Sequence, residues 1–575
     1  MRELLNEIVP NLSIAMEKLE LNDNPWVNLL GNSTDKVHGD ITLPCHTFSK
    51  ILRKSPNDIA IEIANNLGPE LSEISDINIV NGFLNFKAKN SWISKKISSL
   101  NSDPRVGVEL ENRKTIVIDY SSPNIAKRMH VGHLRSTVIG DALSRILLFK
   151  GHNVVGENHI GDWGTPFGML IEHFIECENN DIGEIDLSTF YKEARYKFDN
   201  IDDFSNRSRK RVVKLQSRDP RTIDLWQNLV DYSLVHFNSV YQMLGVLLDD
   251  DNLAGESMYE ELLPEVVKRL ESKNLIVESE GALVAFPDGW YNRENEPLPL
   301  IIRKGDGGYN YATTDLACII NRVESIECNE MLYVVGAEQS QHFSMVFQVA
   351  KDAEFLDESI KAVHVQFGLV MGLDGKKLAS REGIVITLKE LLEESVNRAE
   401  KLILEKNPSM SASDRNKVSK MIGIGAIKYA DLSIDRNKNY VFDWDKMLSF
   451  DGNTAPYLQY AHARICSIFR KSSISRESTI NSEILVVNDF EKSLSKSIIG
   501  FSESIDETIN SYSPHRLAVY LHNLAQDFAS FYENCPVLVS NDDNTMNSRL
   551  ALCNLTARTL KTGLGLLGIE TPEIM

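Results

Sequence analysis

A chain of 575 residues, 25% charged and 42% hydrophobic, has the balance of an ordinary water-soluble globular protein and room for three to five domains. Its net charge of −20 excludes a generic DNA-coating protein, and no apolar run approaches the roughly 18 residues that a bilayer crossing needs. The seven cysteines contain no CxxC pair, which excludes a zinc knuckle and argues against a disulfide framework; the N-terminus mixes Glu with Leu, unlike a secretion or organelle leader, so a cytosolic protein is expected.

Residues 1 to about 105 read as a separate α/β unit. A helix over Arg2–Leu19 precedes an Asn-, Asp- and Gly-rich loop. A second helix is predicted near Pro56–Leu67, with Ser55 as N-cap, Pro56 at the first helical position and Gly68 as a stop. Ile77–Phe86 reads as two strands around Asn81-Gly82, a hairpin turn signal.

From Thr115 the pattern changes to strand, polar turn and helix, repeated. TIVIDY (Thr115–Tyr120) is a β-branched run suited to a buried strand, and Leu134–Phe149 is apolar at helical spacing, stopping at Gly151. The turn between them ends in His130-Val131-Gly132-His133. A helix N-terminus offers unpaired N–H groups and the positive end of the helix dipole, two imidazoles add donors, and Gly132 permits close approach, which suits a nucleotide phosphate. The same four residues also fit simple capping or part of a zinc site. Asn153–Glu172 repeats strand, Gly-rich turn and helix, and a helical insertion follows over about 180–275. Within it, Arg207–Arg221 holds seven basic residues in fifteen, which suits either a nucleic-acid footprint or a solvated helix face.

Gly281–Phe286, Pro299–Lys304, Met331–Gly336 and Val363–Gly372 are strand-like and are predicted to resume the sheet, with Asp306-Gly307-Gly308 as a turn. Tyr309–Asp315 leads into a helix at Leu316–Val323, with Thr313 or Thr314 as its cap. The recurrence predicts a doubly wound parallel sheet whose ligands sit at the carboxyl ends of the strands. Beyond Leu388 the chain reads as almost entirely helical, with helices over Leu388–Glu405, Ser411–Ser433, Thr454–Arg470 and Pro514–Glu533.

The segment SSPNIAKRMHVGHLRSTVIGDALSRIL (Ser121–Leu147) resembles the first signature of the arginyl-tRNA synthetases, the "HIGH" motif of class I aminoacyl-tRNA synthetases. GDWG (Gly161–Gly164) resembles a family segment lining the active site, and Asn453–Lys471 resembles the start of a helical anticodon-binding domain. The resemblance implies four parts. These are an N-terminal tRNA-contacting domain (1–105), a Rossmann-type catalytic domain (106–385), a helical connective region (386–452) and a helical anticodon-binding domain (453–575). It implies ATP with Mg2+, L-arginine and tRNA(Arg) as ligands, no structural metal, no membrane and a monomeric chain.

Residue by residue, the resemblance puts His130, Gly132 and His133 on ATP, with the two histidines stabilising charge on its phosphate. The second class I signature, "KMSKS", corresponds to Lys377-Leu378-Ala379-Ser380-Arg381, where Ser380 stands in place of the second lysine. Lys377, Ser380 and Arg381 are expected to meet ATP there, and Lys127, three residues before His130, is expected to supply the missing charge. Asp119 and Asp315, with Tyr311 one helical turn before Asp315, are expected around the arginine guanidinium. Ser122, Asn124, His133 and Gln339 are expected around its backbone groups. A guanidinium is planar and permanently charged, so carboxylates are the chemistry that selects it. Two alternatives use the same parts: a small-molecule nucleotidyltransferase with HxGH on a related fold, and a synthetase-derived protein that holds tRNA without charging it.

Overall fold

The computed structural model describes residues 2–33, 37–177, 187–305, 307–376, 378, 386–539 and 542–575. At its centre four short strands run parallel: β1 (Thr115–Asp119), β2 (Asn153–Glu157), β3 (Glu330–Tyr333) and β4 (Lys361–His364). Their order is β4-β3-β1-β2, so the winding direction reverses between β1 and β3. Asp119 stands in register with Glu157 on one side and Tyr333 on the other, which brings three chain reversals together at one end of the sheet. A crevice at such a reversal is where doubly wound sheets bind ligands. Ile116, Val117 and Ile118 of β1 are fully covered, because crossover helices pack on both faces. One of these, α1 (Val131–Phe149), is buried along almost its whole length.

Two expectations are corrected here. Gly281–Phe286 and Pro299–Lys304 do not extend the parallel sheet; with Ile276–Ser279 their cores form a separate antiparallel sheet of three strands, Ile276–Ser279, Ala282–Ala285 and Leu300–Arg303. Only residues 280 and 281 separate its first two strands, which forces a hairpin, and the third strand returns antiparallel through residues 286–299. The helix expected from Leu316 begins at Tyr311, with Asn310 at the N-cap position. Thr313 does not cap it, since its hydroxyl donates to the Ile302 carbonyl at 2.5 Å. Asp306 lies outside the described residues, so the turn expected there is not placed.

The N-terminal unit follows its sequence closely. Ser55 caps the helix Pro56–Asn65, and Asn81 and Gly82 take φ of 49° and 78° between strands Ser75–Val80 and Phe83–Ala88. The C-terminal part is helical, from Leu388–Lys406 and Ala412–Leu432 through to Asp543–Leu566. First and last parts interlock. Arg558 donates to the carbonyls of Asn101 and Asp103, and the Asn101 amide donates to those of Thr479 and Ser482. The helical part also grips the catalytic sheet, because Arg135 on α1 is ion-paired with Asp431 at 3.1 Å in a fully covered setting.

Candidate active site

His130 is the N-cap of α1. Its Nδ1 accepts from the Gly132 N–H at 3.0 Å, and the His130 N–H donates to Nδ1 of His133 at 3.1 Å. A ring nitrogen that accepts carries no proton, so in both neutral imidazoles the proton sits on Nε2. Burial, and then the charge of Lys127, hold His130 below its ordinary value. Burial, and then His130, push His133 down to about 3. The turn therefore presents two neutral rings, 4.1 Å apart, whose Nε2–H groups add to the donors of a helix N-terminus. This arrangement is chemically suited to an anion.

The turn that carries them is strained. Ser121, Ser122 and Ala126 have φ of 75°, 49° and 59°, values that side chains other than glycine avoid. Three sets of contacts hold it. Asn124 pairs with Gly161 of the GDWG turn, where a Cβ on residue 161 would stand 2.6 Å from the Asn124 amide oxygen. Ser121 and Ser122 take N–H partners from Ser136 Oγ (2.9 Å) and Asn158 Oδ1 (3.0 Å). The helix α2 (Pro220–Leu244) of the insertion supplies the rest: Tyr241 bonds Ser121 Oγ at 2.8 Å and Asn158 at 3.0 Å, and Ser233 accepts from the Ala126 N–H at 3.0 Å.

Beside the turn lies a cluster of acids. Asp119 is not free in it. The covered guanidinium of Arg322 bonds Asp119 at 2.7 Å and Glu157 at 2.8 Å, and Ser122 Oγ donates to the other Asp119 oxygen at 3.1 Å. An unpaired buried arginine would be strongly destabilising, which accounts for both carboxylates being drawn to it. Asp119, expected around the arginine guanidinium, is engaged by Arg322 and Ser122, and two acids share that one arginine. Asp315 faces the opening, one turn along its helix from the exposed Tyr311, and pairs with His342 Nε2 at 2.6 Å. Gln339 is exposed at the end of β3 in the short helix Ala337–Gln339.

Glu256 and His342 escape sequence reasoning. Glu256 is held up at about 7 by burial, with the charges of Asp162 and Asp315 adding and His159 opposing. It lies close enough to Tyr311 to raise that phenol too, after burial, so Tyr311, Asp315 and Glu256 share one wall. Nothing in its neighbours, Gly255 and Ser257, marks it out; only the fold brings residue 256 beside residue 315.

The Lys127 ammonium lies 4.5 Å over the Tyr191 ring, near enough to both histidines to depress them. Lys377, Ser380 and Arg381 lie outside the described residues. The basic run is partly neutralised by acids around it: Arg207 and Arg211 pair with Glu172, and Arg218 with Glu260 and Glu261. A groove of about 1130 Å³ lies elsewhere, between α2, the connective helices and the C-terminal residues Gly565–Thr571, and holds none of these groups.

Three family patterns cover the chain: "Arginyl tRNA synthetase N terminal domain" over residues 3–88, "tRNA synthetases class I (R), catalytic domain" over 96–444, and "DALR anticodon binding domain" over 458–575. A protein of Thermobifida fusca named arginine–tRNA ligase is 47% identical over 534 residues, 92% of each chain. One of the same name from Proteus mirabilis is 44% identical over 90% of this chain and 91% of its own. The arginyl-tRNA synthetase structure from Plasmodium falciparum superposes with a TM-score of 0.83 at 29% identity, covering 99% of both chains. That from Thermus thermophilus has the same fold, with a TM-score of 0.79 at 24% identity over 98% of this chain and 99% of its own. The chain belongs to the class I arginyl-tRNA synthetases.

Proposed function

We propose that the chain is an arginine–tRNA ligase, joining L-arginine to ATP as arginyl-adenylate with release of pyrophosphate, and then passing arginine to tRNA(Arg). One observation carries this reading: an anion-receiving turn with two neutral imidazole donors opens beside a wall of carboxylates at the same end of the sheet. ATP phosphates belong at the first and a guanidinium at the second.

In this reading the arginine carboxylate attacks the α-phosphate of ATP, and pyrophosphate leaves from the opposite side. His130 and His133 donate through Nε2 to phosphate oxygens as charge develops, an effect of about 10²–10³ in rate for one such donor. Gly132 leaves room for the phosphate to approach α1. Asp315, Asp119, Tyr311 and Glu256 hold the guanidinium, and Ser122, Asn124, His133 and Gln339 surround the backbone groups. Lys127, Lys377 and Arg381 bring positive charge to the departing pyrophosphate, and Ser380 also meets ATP. Magnesium enters on ATP's own phosphates. The described groups at the turn are imidazole and ammonium rather than carboxylate ligands.

The anticodon is read, in this proposal, by the C-terminal helices. There the Arg464 guanidinium lies 4.8 Å from the Tyr460 ring centre and 5.5 Å from that of Tyr532, and both rings are part exposed. Arg470, Lys471 and Met575 line the same cavity of about 650 Å³. Splayed RNA bases stack on such faces. The division at residues 105, 385 and 452, a monomeric state and a cytoplasmic location complete the proposal. Among the described residues no helix is long and apolar enough to cross a membrane.

ATP–pyrophosphate exchange measured across the twenty amino acids, with and without bulk tRNA, tests it. Exchange with arginine alone among them is expected, followed by arginine transfer to tRNA. No exchange with any amino acid, alongside retained tRNA binding, would instead identify a tRNA-holding protein.

A further inference from the structure

The insertion helix α2 packs into the catalytic domain through a stripe made by Leu229, Val230, Phe237, Val240 and Leu244. Two positions in that stripe, Ser233 and Tyr241, carry hydroxyls and are almost fully covered. A buried hydroxyl is costly unless bonded, and each of these bonds the strained turn: Ser233 to the Ala126 N–H, Tyr241 to Ser121 Oγ and Asn158. One end of the same face carries Trp226, whose indole N–H donates to the Asp162 carbonyl of the GDWG turn at 2.7 Å. Trp226, Ser233 and Tyr241 are seven and eight residues apart, so they lie along one side of the helix at about 10–12 Å intervals.

We propose that α2 is a splint for the active site, and that Tyr241 and Ser233 are positioning residues of the reaction although neither touches substrate. This rests on the reading of the turn as the adenylate-forming site. The turn has three left-handed residues that are not glycine, each of which costs free energy to keep in place. The bonds from α2 come from residues 107 and 120 positions away in the chain, so they fix the turn only once the insertion has docked. Ser122 and Asn124, expected at arginine, lie between the two anchored positions, and His130 follows directly. A turn released at Ser121 or Ala126 would leave these groups present but misaligned. Misalignment of that kind lowers the rate of the chemical step more than it lowers binding.

The test uses the full chain with Tyr241→Phe and Ser233→Ala, each of which removes one hydroxyl and keeps the packing volume. Arginine-dependent ATP–pyrophosphate exchange is followed with saturating tRNA(Arg), together with amide hydrogen exchange. The expected result is a kcat lower by about 5- to 100-fold in each variant, the scale of one lost buried hydrogen bond, with KM for ATP changed less than threefold. Faster amide exchange should be confined to residues 120–126, with α2 itself unchanged. A normal kcat in both variants overturns the proposal, as does loosening spread through α2 and its neighbours, which identifies ordinary packing. Absence of exchange activity in the unsubstituted protein is a different result. It removes the proposed function, and the amide exchange at 120–126 still decides whether α2 holds the turn.

Discussion

A carboxyl that titrates near neutrality should make arginine binding depend on pH. Glu256 is held up at about 7 by burial, so it is largely neutral at pH 6 and anionic at pH 8. Only the anion attracts a guanidinium, and KM for arginine should therefore fall by about tenfold between these values. Glu256→Gln should flatten the profile; a flat profile in the unsubstituted protein would place Glu256 off the guanidinium. The same shift bears on stability. The unfolded glutamate loses its proton near 4.3, whereas the folded one keeps it to about 7, so this group withdraws stability as pH rises through that window. The histidines act from the other side. Both are depressed in the fold, so they favour the unfolded chain as pH falls below about 6.5. Lys127→Ala should lower the activation rate by about 10²–10³ while leaving KM for arginine within a few-fold, because its charge is needed where pyrophosphate departs. A normal rate would make Lys127 an ordinary surface lysine resting on Tyr191. At this scale the donor turn was legible, because HxGH, its glycine and its flanking strand and helix are contiguous. Glu256, Arg322 and His342 were not, because each acquires its partner from more than 25 residues away.

Among the elements, the strands were legible as strands, but the sheet they join was not. Ala282–Ala285 and Leu300–Arg303 are short, largely apolar runs like β3, and residues 286–299 between them are long enough for either pairing, so the sequence leaves the antiparallel arrangement open. The helix pattern was more secure, since a 3.6-residue period over several turns has few competing readings. The joint between α1 and the connective helix Ala412–Leu432 illustrates what periodicity hides. Arg135 and Asp431 sit in stripes that read as apolar faces, yet they form an ion pair with both side chains at 1% exposure or less. Arg135 also donates to the Lys438 carbonyl at 2.9 Å and lies between the rings of Phe367 and Tyr440. Asp431→Asn should destabilise the protein by about 3–5 kcal/mol, because it leaves a buried guanidinium without its counter-charge. Chemical denaturation monitored at the tryptophans checks this. Replacing both partners by apolar residues should recover much of the loss, and no recovery would show that the pair does more than neutralise itself.

The whole molecule is more tightly tied than a reading in successive domains suggests. Cutting the chain near residue 440 would remove the carbonyl of Gly568 from the buried Lys428 ammonium and separate Gln459 from the Met421 carbonyl, so a truncated catalytic part would lack its own core contacts. A point change on the C-terminal surface is the better probe of tRNA reading. Tyr532→Ala should raise KM for tRNA(Arg) by about 5- to 150-fold, the scale of one stacked base, without altering arginine-dependent pyrophosphate exchange at saturating tRNA. Equal tRNA kinetics in the two proteins would move the anticodon to another face. The helical character of this region was plain in the sequence, but its grip on the first hundred residues was not, since those contacts are hydrogen bonds and ion pairs, such as Lys496 with Asp40, between positions with no shared pattern.

That grip has a consequence for how the protein is made. Arg558 closes on Asn101 across 457 residues of chain, and Asn101 reaches Thr479 across 378. At a synthesis rate of about 5–20 residues per second, residues near 100 leave the ribosome about 20–90 s before the arginine that secures them exists. The N-terminal sheet and its helices can form early from local contacts, but the face of Asn90–Ser102 that meets the last helices must stay open throughout. On that face Ser94 and Ser98 accept from the Val486 and Ile484 N–H groups, and Asn101 donates to the Thr479 carbonyl. During translation this face waits without its partners, and slowing the ribosome late in the message would prolong its exposure.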